Sequence, residues 1–408
     1  MPLSCVFGKT KYQTKSALCK LSRAMLQSSV LVIGIFAGQV AYATDDLQIK
    51  APQVLLLDDK TGTVLFSRNS EQQFPPASLA KLMTAEVVFD ALQKQKIKLD
   101  DSYVVSEHAW RTGGAPSRTP TMFAKIKSSP TIEDLIQGMI VQMANDACII
   151  LAEGLTGSEK QFVTLMNERA KLLGLENSLF VNSTGLPADG QHVSVGDLTK
   201  LARHIYHQYP EYYPYFAKTD FTWNKIFQRN RNELLYLDIG ADGMNVGGTK
   251  ESGFALVTSA EKNGRRLFLS LAGLKNEKHR TEEARQLIEW GMSNFDDMRL
   301  FSKGAVVGQA QVFNGTQSAV ALIVKDDVDL LLPRNGQDQL TAEIVYRGPL
   351  DAPVKADQQV GSLKIKLDKQ IVRELPVYTS QAIEVGNLEE RSLGALVEIA
   401  TGWIRKFR

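Results

Sequence analysis

The stretch "FPPASLAKLMTAEVVFDAL", residues 74–92, decides the reading of this chain. Leu79, Leu82, Met83, Ala85, Val87, Val88, Phe89, Ala91 and Leu92 follow Ser78, and a helix apolar on every face is a buried one. Residues three apart on a helix are neighbours, so Ser78 and Lys81 are predicted to stand side by side at its mouth. A buried lysine loses its charge readily, and a neutral amine can take the proton of a hydroxyl. That is one way to make a weak nucleophile attack. The spacing alone is cheap, because "SAEK" at Ser259–Lys262 has it too and serine is a common helix cap. The surrounding sequence must therefore carry the assignment.

The chain of 408 residues can hold two domains with proper cores, and its 44% hydrophobic and 23% charged residues are ordinary for a globular protein. The N-terminus is not ordinary. Residues 1–23 hold five basic residues and no acid, and "AMLQSSVLVIGIFAGQVAYA" follows, ending in Ala41-Tyr42-Ala43. This reads as an export signal over residues 1–43, with a retained N-terminal anchor as the competing reading. Beyond Ala43 the chain has 42 basic against 45 acidic residues, a net charge of −3, so no nucleic-acid partner is expected. Cys148 is then the sole cysteine, which forbids an internal disulfide, and it reads as a small core residue. The five histidines show no metal spacing, and no cofactor is called for.

"APQVLLLDDKTGTVLFSRN", residues 51–69, is predicted as a hairpin turning at Lys60-Thr61-Gly62. Helical stretches are expected over 131–154, 158–174 and 194–208, then two strands joined by Asn263-Gly264, then a helix in "KHRTEEARQLIEWGMSNF". Strands at both ends of a helical block imply an α+β domain, an antiparallel sheet covered by helices. After about residue 299 come short alternating strands, "AVVGQAQVFNG", "AVALIVKDDVDLLLP", "LTAEIVYRGPL" and "GSLKIKL", which predict a small all-β domain over 299–386. In residues 387–408, Leu393, Leu396, Val397, Ala400, Trp403, Ile404 and Phe407 share one helical face, with Arg405, Lys406 and Arg408 at the end. That pattern suits an amphipathic helix lying on a membrane surface, against the plainer reading of a helix folded back on its own domain.

A serine–lysine pair also needs a proton shuttle, oxyanion donors and a substrate clamp. Penicillin-recognising enzymes provide them with S-x-x-K, S-x-N and K-T-G elements in that order. The chain resembles the D-alanyl-D-alanine carboxypeptidases among the low-molecular-mass penicillin-binding proteins. The resemblance runs through "PPASLAKLMT", "TGGAPSRTPTMF", "DLIQGMIVQMANDACIILAEGLTG", "NSTGLPADGQHVS" and "GADGMNVGGTKESGFALVTSA". It implies a penicillin-binding/β-lactamase-like domain over 44–298, with a β-rich domain and an amphipathic anchor behind it. It further implies Ser78 as nucleophile, Lys81 as base, Asn145 as holder of the substrate amide, and the backbone N–H groups of Ser78 and Gly248 as oxyanion donors. The implied partners are peptidoglycan stem peptides, β-lactams as acylating inhibitors, and the periplasmic face of the cytoplasmic membrane.

Two elements depart from the family pattern. Met143-Ala144-Asn145 stands for S-x-N, and Asn245-Val246-Gly247 stands for K-T-G. The first loses a hydroxyl that the resemblance ties to proton transfer, the second a cation and a hydroxyl that favour a terminal carboxylate. Gly247 is kept, which would let a substrate backbone approach the strand. Asn245, Gly247 and Thr249 share a strand face, but Thr249 lies roughly 13 Å along it and Lys250 points the other way. The sequence thus predicts a peptidoglycan carboxypeptidase acting through acyl-Ser78. Its rivals are a degenerate, non-catalytic binder of cell-wall peptide and a DD-endopeptidase that reads no free carboxylate.

Overall fold

The computed structural model describes residues 47–249, 253–333, 340–367 and 370–387. The expected signal over 1–43, Lys250, and all but the first residue of the expected amphipathic helix over 387–408 lie outside the described residues. The chain divides into two compact units: Phe295 onward together with Thr61–Thr63, and a larger unit holding residues 47–60 and 64–294.

The larger unit begins with β1 (Gln53–Asp58) and β2 (Val64–Arg68), the expected hairpin. A 3-10 turn, Ala77–Ala80, runs directly into α1 (Lys81–Gln93). Then come α2 (Glu107–Thr112), α3 (Ile132–Val141), α4 (Asn145–Thr156), α5 (Glu159–Leu172) and α6 (Val195–Gln208). A small hairpin, β3 (Asp220–Trp223) and β4 (Ile226–Arg229), precedes β5 (Ala241–Thr249), β6 (Gly253–Lys262), β7 (Arg265–Leu274) and α7 (Glu277–Ser293). The sheet order is β2-β1-β7-β6-β5, with every neighbouring pair antiparallel. Asn263 and Gly264 both take positive φ, 55° and 77°, as the tight two-residue hairpin requires.

Side chains alternate across β7, and the two faces are covered by different helices. Thr199 of α6 meets Ser270 hydroxyl to hydroxyl at 2.8 Å. On the other face, Gly291 of α7 packs so closely that a Cβ there would lie 2.8 Å from Leu267 and 3.0 Å from Leu56. Burial on both faces explains why β6 and β7 read as almost continuous apolar runs.

The single helix expected over 131–154 is two helices, broken at Gln142–Ala144. Met143 takes φ +59°, Ala144 is extended, and the Asn145 N–H bonds Pro120 O at 2.8 Å. An L residue in the left-handed region costs on the order of 1–3 kcal/mol, so the break is held by its surroundings. The sequence hides it because both helices are largely buried, and the polar residues Gln142, Asn145 and Asp146 at the break fit within a continuing helix as well as at its ends.

α1 is buried along nearly its whole length, and its one deep acid, Glu86, is paired. Arg169 of α5 donates to both its carboxylate oxygens and Tyr209 OH donates at 3.1 Å, while His204 Nε2 stands 3.4 Å away. Burial pushes the Glu86 carboxyl up, but His204, Arg169 and Tyr209 together hold it below its ordinary 4.5.

The smaller unit is all-β, as expected. It contains β8 (Phe295–Phe301), β9 (Val306–Phe313), β10 (Ala319–Ile323), β11 (Val328–Pro333), β12 (Leu340–Tyr346), β13 (Leu350–Asp351), β14 (Gln359–Leu367) and β15 (Gln370–Thr379). Six of these form the sheet β12-β14-β15-β10-β9-β13, and β11 pairs with β8. The run "AVALIVKDDVDLLLP" is two strands of different sheets, parted at Lys325–Asp327.

The Glu86 network carries a pH signature. Because the folded carboxyl is held below its ordinary value, its stabilisation is fully present above about pH 4.5 and is lost as pH falls through the folded value. Glu86→Ala is expected to cost about 1–3 kcal/mol near neutrality, since Arg169 and Tyr209 lose their acceptor and Arg169 keeps only Asp90, 3.3 Å away, among its acidic partners in the described residues. In urea titrations from pH 7 to pH 3, the gap between wild type and variant should narrow only below about 4.5.

Candidate active site

The turn that carries Ser78 is built by its approach. Phe74 exchanges backbone hydrogen bonds with Val193, Pro75 and Pro76 stiffen the entry, and Ala77 takes φ +47°. Ser78 follows, half-buried at the second position of the 3-10 turn, where N–H groups lack partners within the helix. No side-chain bond caps this turn, so Ser78 is not serving as a helix cap. Lys81 begins α1 with its amine buried, and Nζ donates to Ser78 Oγ at 3.2 Å. It also donates to Thr184 O at 2.5 Å. Burial pulls its pKa from 10.5 to about 8, and the charge of Arg231 adds to this against an opposing contribution from Cys148. Near neutral pH the amine is thus poised to act as a base.

Residues 182–185 form a strap across this turn. Thr84, one helical turn beyond Lys81, donates to Ser183 O at 2.7 Å, so consecutive carbonyls of the strap receive side chains three apart on α1. Gly185, at φ +79°, passes so near the nucleophile turn that a Cβ would fall 1.7 Å from Ala77 O.

Asn145 is placed by the break in the 131–154 run. Its Nδ2 donates to Thr119 Oγ1 at 3.0 Å. Thr119 lies 2.7 Å from Ser117 Oγ, which gives its own hydrogen to Gly114 O, so Thr119 donates to Ser117 and accepts from Asn145. The chain fixes the amide orientation and leaves Asn145 Oδ1 buried with no partner among the described residues. Asp146 ties down the same loop by accepting from Thr121 Oγ1, Met122 N and Ala124 N.

On β5, Asn245 Nδ2 donates to Ser78 O at 3.0 Å, and its Oδ1 is likewise buried without a partner. A Cβ on Gly247 would lie 3.1 Å from the Leu79 backbone nitrogen and 3.2 Å from Pro76 O. The turn that carries Ser78 itself leans on the strand at this glycine. Gly248 takes φ +134°, and Thr249 pairs with Gly253 at the strand end. The Thr249 side chain lies outside what the structure describes.

Ser78, Lys81 and Asn245 are thus joined by direct hydrogen bonds, and Gly247 packs on the same turn. Sequence reasoning missed the partners Asn182, Thr184, Thr119 and Arg231. Arg231 sits between buried Asn230 and Asn232 and donates from Nε to Gln142 O at 3.0 Å, beside Met143. Only Asn182 had a local signal, an Asn ahead of Ser-Thr-Gly, which marks a side-chain-supported turn.

Residues 39–275, more than half of the chain, match the family model described as D-alanyl-D-alanine carboxypeptidase. The chain belongs to that family. Residues 295–385 match the C-terminal domain of penicillin-binding protein 5. The D-alanyl-D-alanine carboxypeptidase DacD of Salmonella typhimurium is 36% identical, across 87% of this chain and 92% of the relative. DacC of Escherichia coli, another D-alanyl-D-alanine carboxypeptidase, is 35% identical across 89% and 94%. The crystal structure of penicillin binding protein 5 from Haemophilus influenzae is 32% identical, with a TM-score of 0.70 over 83% of this chain and 98% of that one. Family and relatives make this chain a serine-type peptidase of the DD-carboxypeptidase class, as the resemblance had implied.

The strap supplies a prediction for this DD-carboxypeptidase. Gly185→Ala should destabilise by about 2–5 kcal/mol, through strain and overlap with Ala77 O. Gly190→Ala, at φ +84° but with open space around it, should cost only about 1–2 kcal/mol. Paired urea unfolding curves measure the difference.

Proposed function

We propose that the chain removes the terminal D-alanine of peptidoglycan stem peptides through an acyl-Ser78 intermediate. The observation that carries this reading is the 3.2 Å contact between the buried Lys81 amine and Ser78 Oγ. Lys81 takes the hydroxyl proton as Ser78 Oγ bonds to the penultimate D-alanine carbonyl carbon. The N–H groups of Ser78 and Gly248 receive the oxyanion. As the C–N bond breaks, the Lys81 ammonium returns the proton to the departing D-alanine amine. Water then attacks the ester, Lys81 again taking a proton, and Ser78 is regenerated. Asn145 Oδ1, a fixed and unpartnered acceptor, suits a substrate N–H. β-Lactams would acylate Ser78 by the same first step.

The departures retune this site. Asn245 presents an acceptor oxygen where the family pattern has a cation, so the strand reads a terminal carboxylate poorly. Arg231 is the cation whose charge bears on Lys81. Gly247, Gly248 and Thr249 line the substrate edge of β5. Residues 44–298 serve as the peptidase domain, 299–386 as its β-rich companion, 1–43 as the export signal and 387–408 as an amphipathic anchor. The protein would then work at the periplasmic face of the cytoplasmic membrane. No helix among the described residues is long and apolar enough to cross a membrane.

A fluorescent penicillin is expected to label Ser78, and Ser78→Ala to abolish the label in peptide maps. Treated peptidoglycan should release D-alanine. Uncoupled muropeptides without D-alanine would replace this reading with an endopeptidase, and neither product with a binder.

Restoring the family's groups should act unequally. Asn245→Lys with Val246→Thr is expected to lower KM for peptides ending in a free carboxylate by about tenfold to a hundredfold. Met143→Ser should act on kcat instead, because the hydroxyl serves proton transfer. Steady-state kinetics on a D-alanyl-D-alanine peptide, with melting curves alongside, would show the split. A stable triple variant without gain means the site has been reshaped for another ligand.

A further inference from the structure

We infer that Asn182 is a positioning residue for the general base, clasping the turn whose backbone carbonyl aims the Lys81 amine at Ser78. The inference rests on the reading of Ser78 and Lys81 as nucleophile and base. Among the described residues, Ser78 Oγ and Thr184 O are the hydrogen-bond partners of Lys81 Nζ. With methionine at 143, no hydroxyl stands there to share the work of fixing the amine. A neutral amine has two N–H bonds and one lone pair. Holding one N–H on a carbonyl restricts where the lone pair points, and the hydroxyl hydrogen of Ser78 must lie along it.

A backbone carbonyl is only as fixed as its turn, and here Asn182 makes the inner bonds of the turn while Gln191 holds its two ends, accepting from Asn182 N at 3.3 Å and donating to Leu186 O at 3.1 Å. Asn182 Oδ1 accepts from Gly185 N at 2.7 Å, Thr184 Oγ1 at 3.0 Å and Thr184 N at 3.2 Å. Its Nδ2 donates to Leu186 O at 2.9 Å, and Leu186 N returns a bond to Thr184 Oγ1 at 3.1 Å. Ser183 is anchored separately, its N–H and hydroxyl both on Glu159 Oε1. Asn182 therefore acts on residues 184–186 while Glu159 and Thr84 hold residue 183. The charged or titratable groups bearing on Lys81 are Cys148 of α4 and Arg231 ahead of the 3-10 turn Glu233–Tyr236, with Glu159 behind Ser183. Asn182→Ala changes none of them, whereas Asn182→Asp adds a carboxylate to the turn that holds the amine.

The test measures the rate at which a fluorescent penicillin acylates the full-length protein between pH 6 and 10, with melting curves alongside. Asn182→Ala is expected to slow acylation by about tenfold or more, because small displacements of a reacting group are costly. Its rising limb should move to higher pH as water reaches the loosened amine. Asn182→Asp keeps the triple acceptor, loses the Leu186 contact and adds a charge that favours the ammonium, so its rate is compared on the plateau above its rising limb, where it should stay within about fivefold of wild type. An alanine variant with wild-type rate and profile overturns the inference, and so does a slowed one whose limb is unmoved and which aspartate does not rescue. If the alanine variant fails to fold, Thr184→Val bears the same test: it keeps the carbonyl and removes the hydroxyl joining Asn182 to Leu186. A slower rate with an alkaline limb then supports the inference, and a wild-type profile overturns it. Wild-type protein that takes no label at Ser78 overturns the reading beneath it as well.

Discussion

A lysine amine buried between a serine hydroxyl and a backbone carbonyl is an expensive thing to build, and much of the larger unit is arranged to hold it. Its lowered pKa means the charged form is disfavoured there by about 3 kcal/mol relative to water. The amine cannot snorkel out, because Lys81 opens a helix buried on nearly every side. α1 is in turn pinned by the Glu86–Arg169–Tyr209 network, and the sheet leans on the nucleophile turn through Gly247. Lys81, Ser78 and the strap are therefore set by packing, the condition a pair of reacting groups would need to keep its geometry without substrate.

Much of this was legible in the chain. The all-apolar run after Ser78 announced a buried helix, and the paired turn residues Asn263-Gly264 announced the β6–β7 hairpin. The break at Met143 was not legible. A left-handed methionine leaves no mark on hydrophobic periodicity, and what holds it there, the bond from Asn145 N to Pro120 O and the clamp on Asp146, comes from residues over twenty positions away. The strap was hidden for a similar reason. Lys81 and Thr184 are 103 residues apart, and a carbonyl acceptor has no residue type to recognise. Sequence pattern shows that the strand needs space at Gly247, and the structure sets the Ser78 turn against it, a neighbour no pattern announces.

The departures at 143, 245 and 246 look like losses in a motif alignment, but the structure gives two of them new local partners. Asn245 holds the Ser78 carbonyl, and Met143 shapes the turn that delivers Asn145. The Lys81–Ser78 contact stands at 3.2 Å beside these departures.

The central claim is that Lys81 exchanges its proton within reach of neutral pH because the fold buries it against Ser78. NMR titration of the Lys81 side chain, assigned by comparison with Lys81→Met, tests this most directly. The account predicts a midpoint near 8. A midpoint at the ordinary 10.5 would contradict it, leaving Ser78 beside a charged lysine that cannot take its proton.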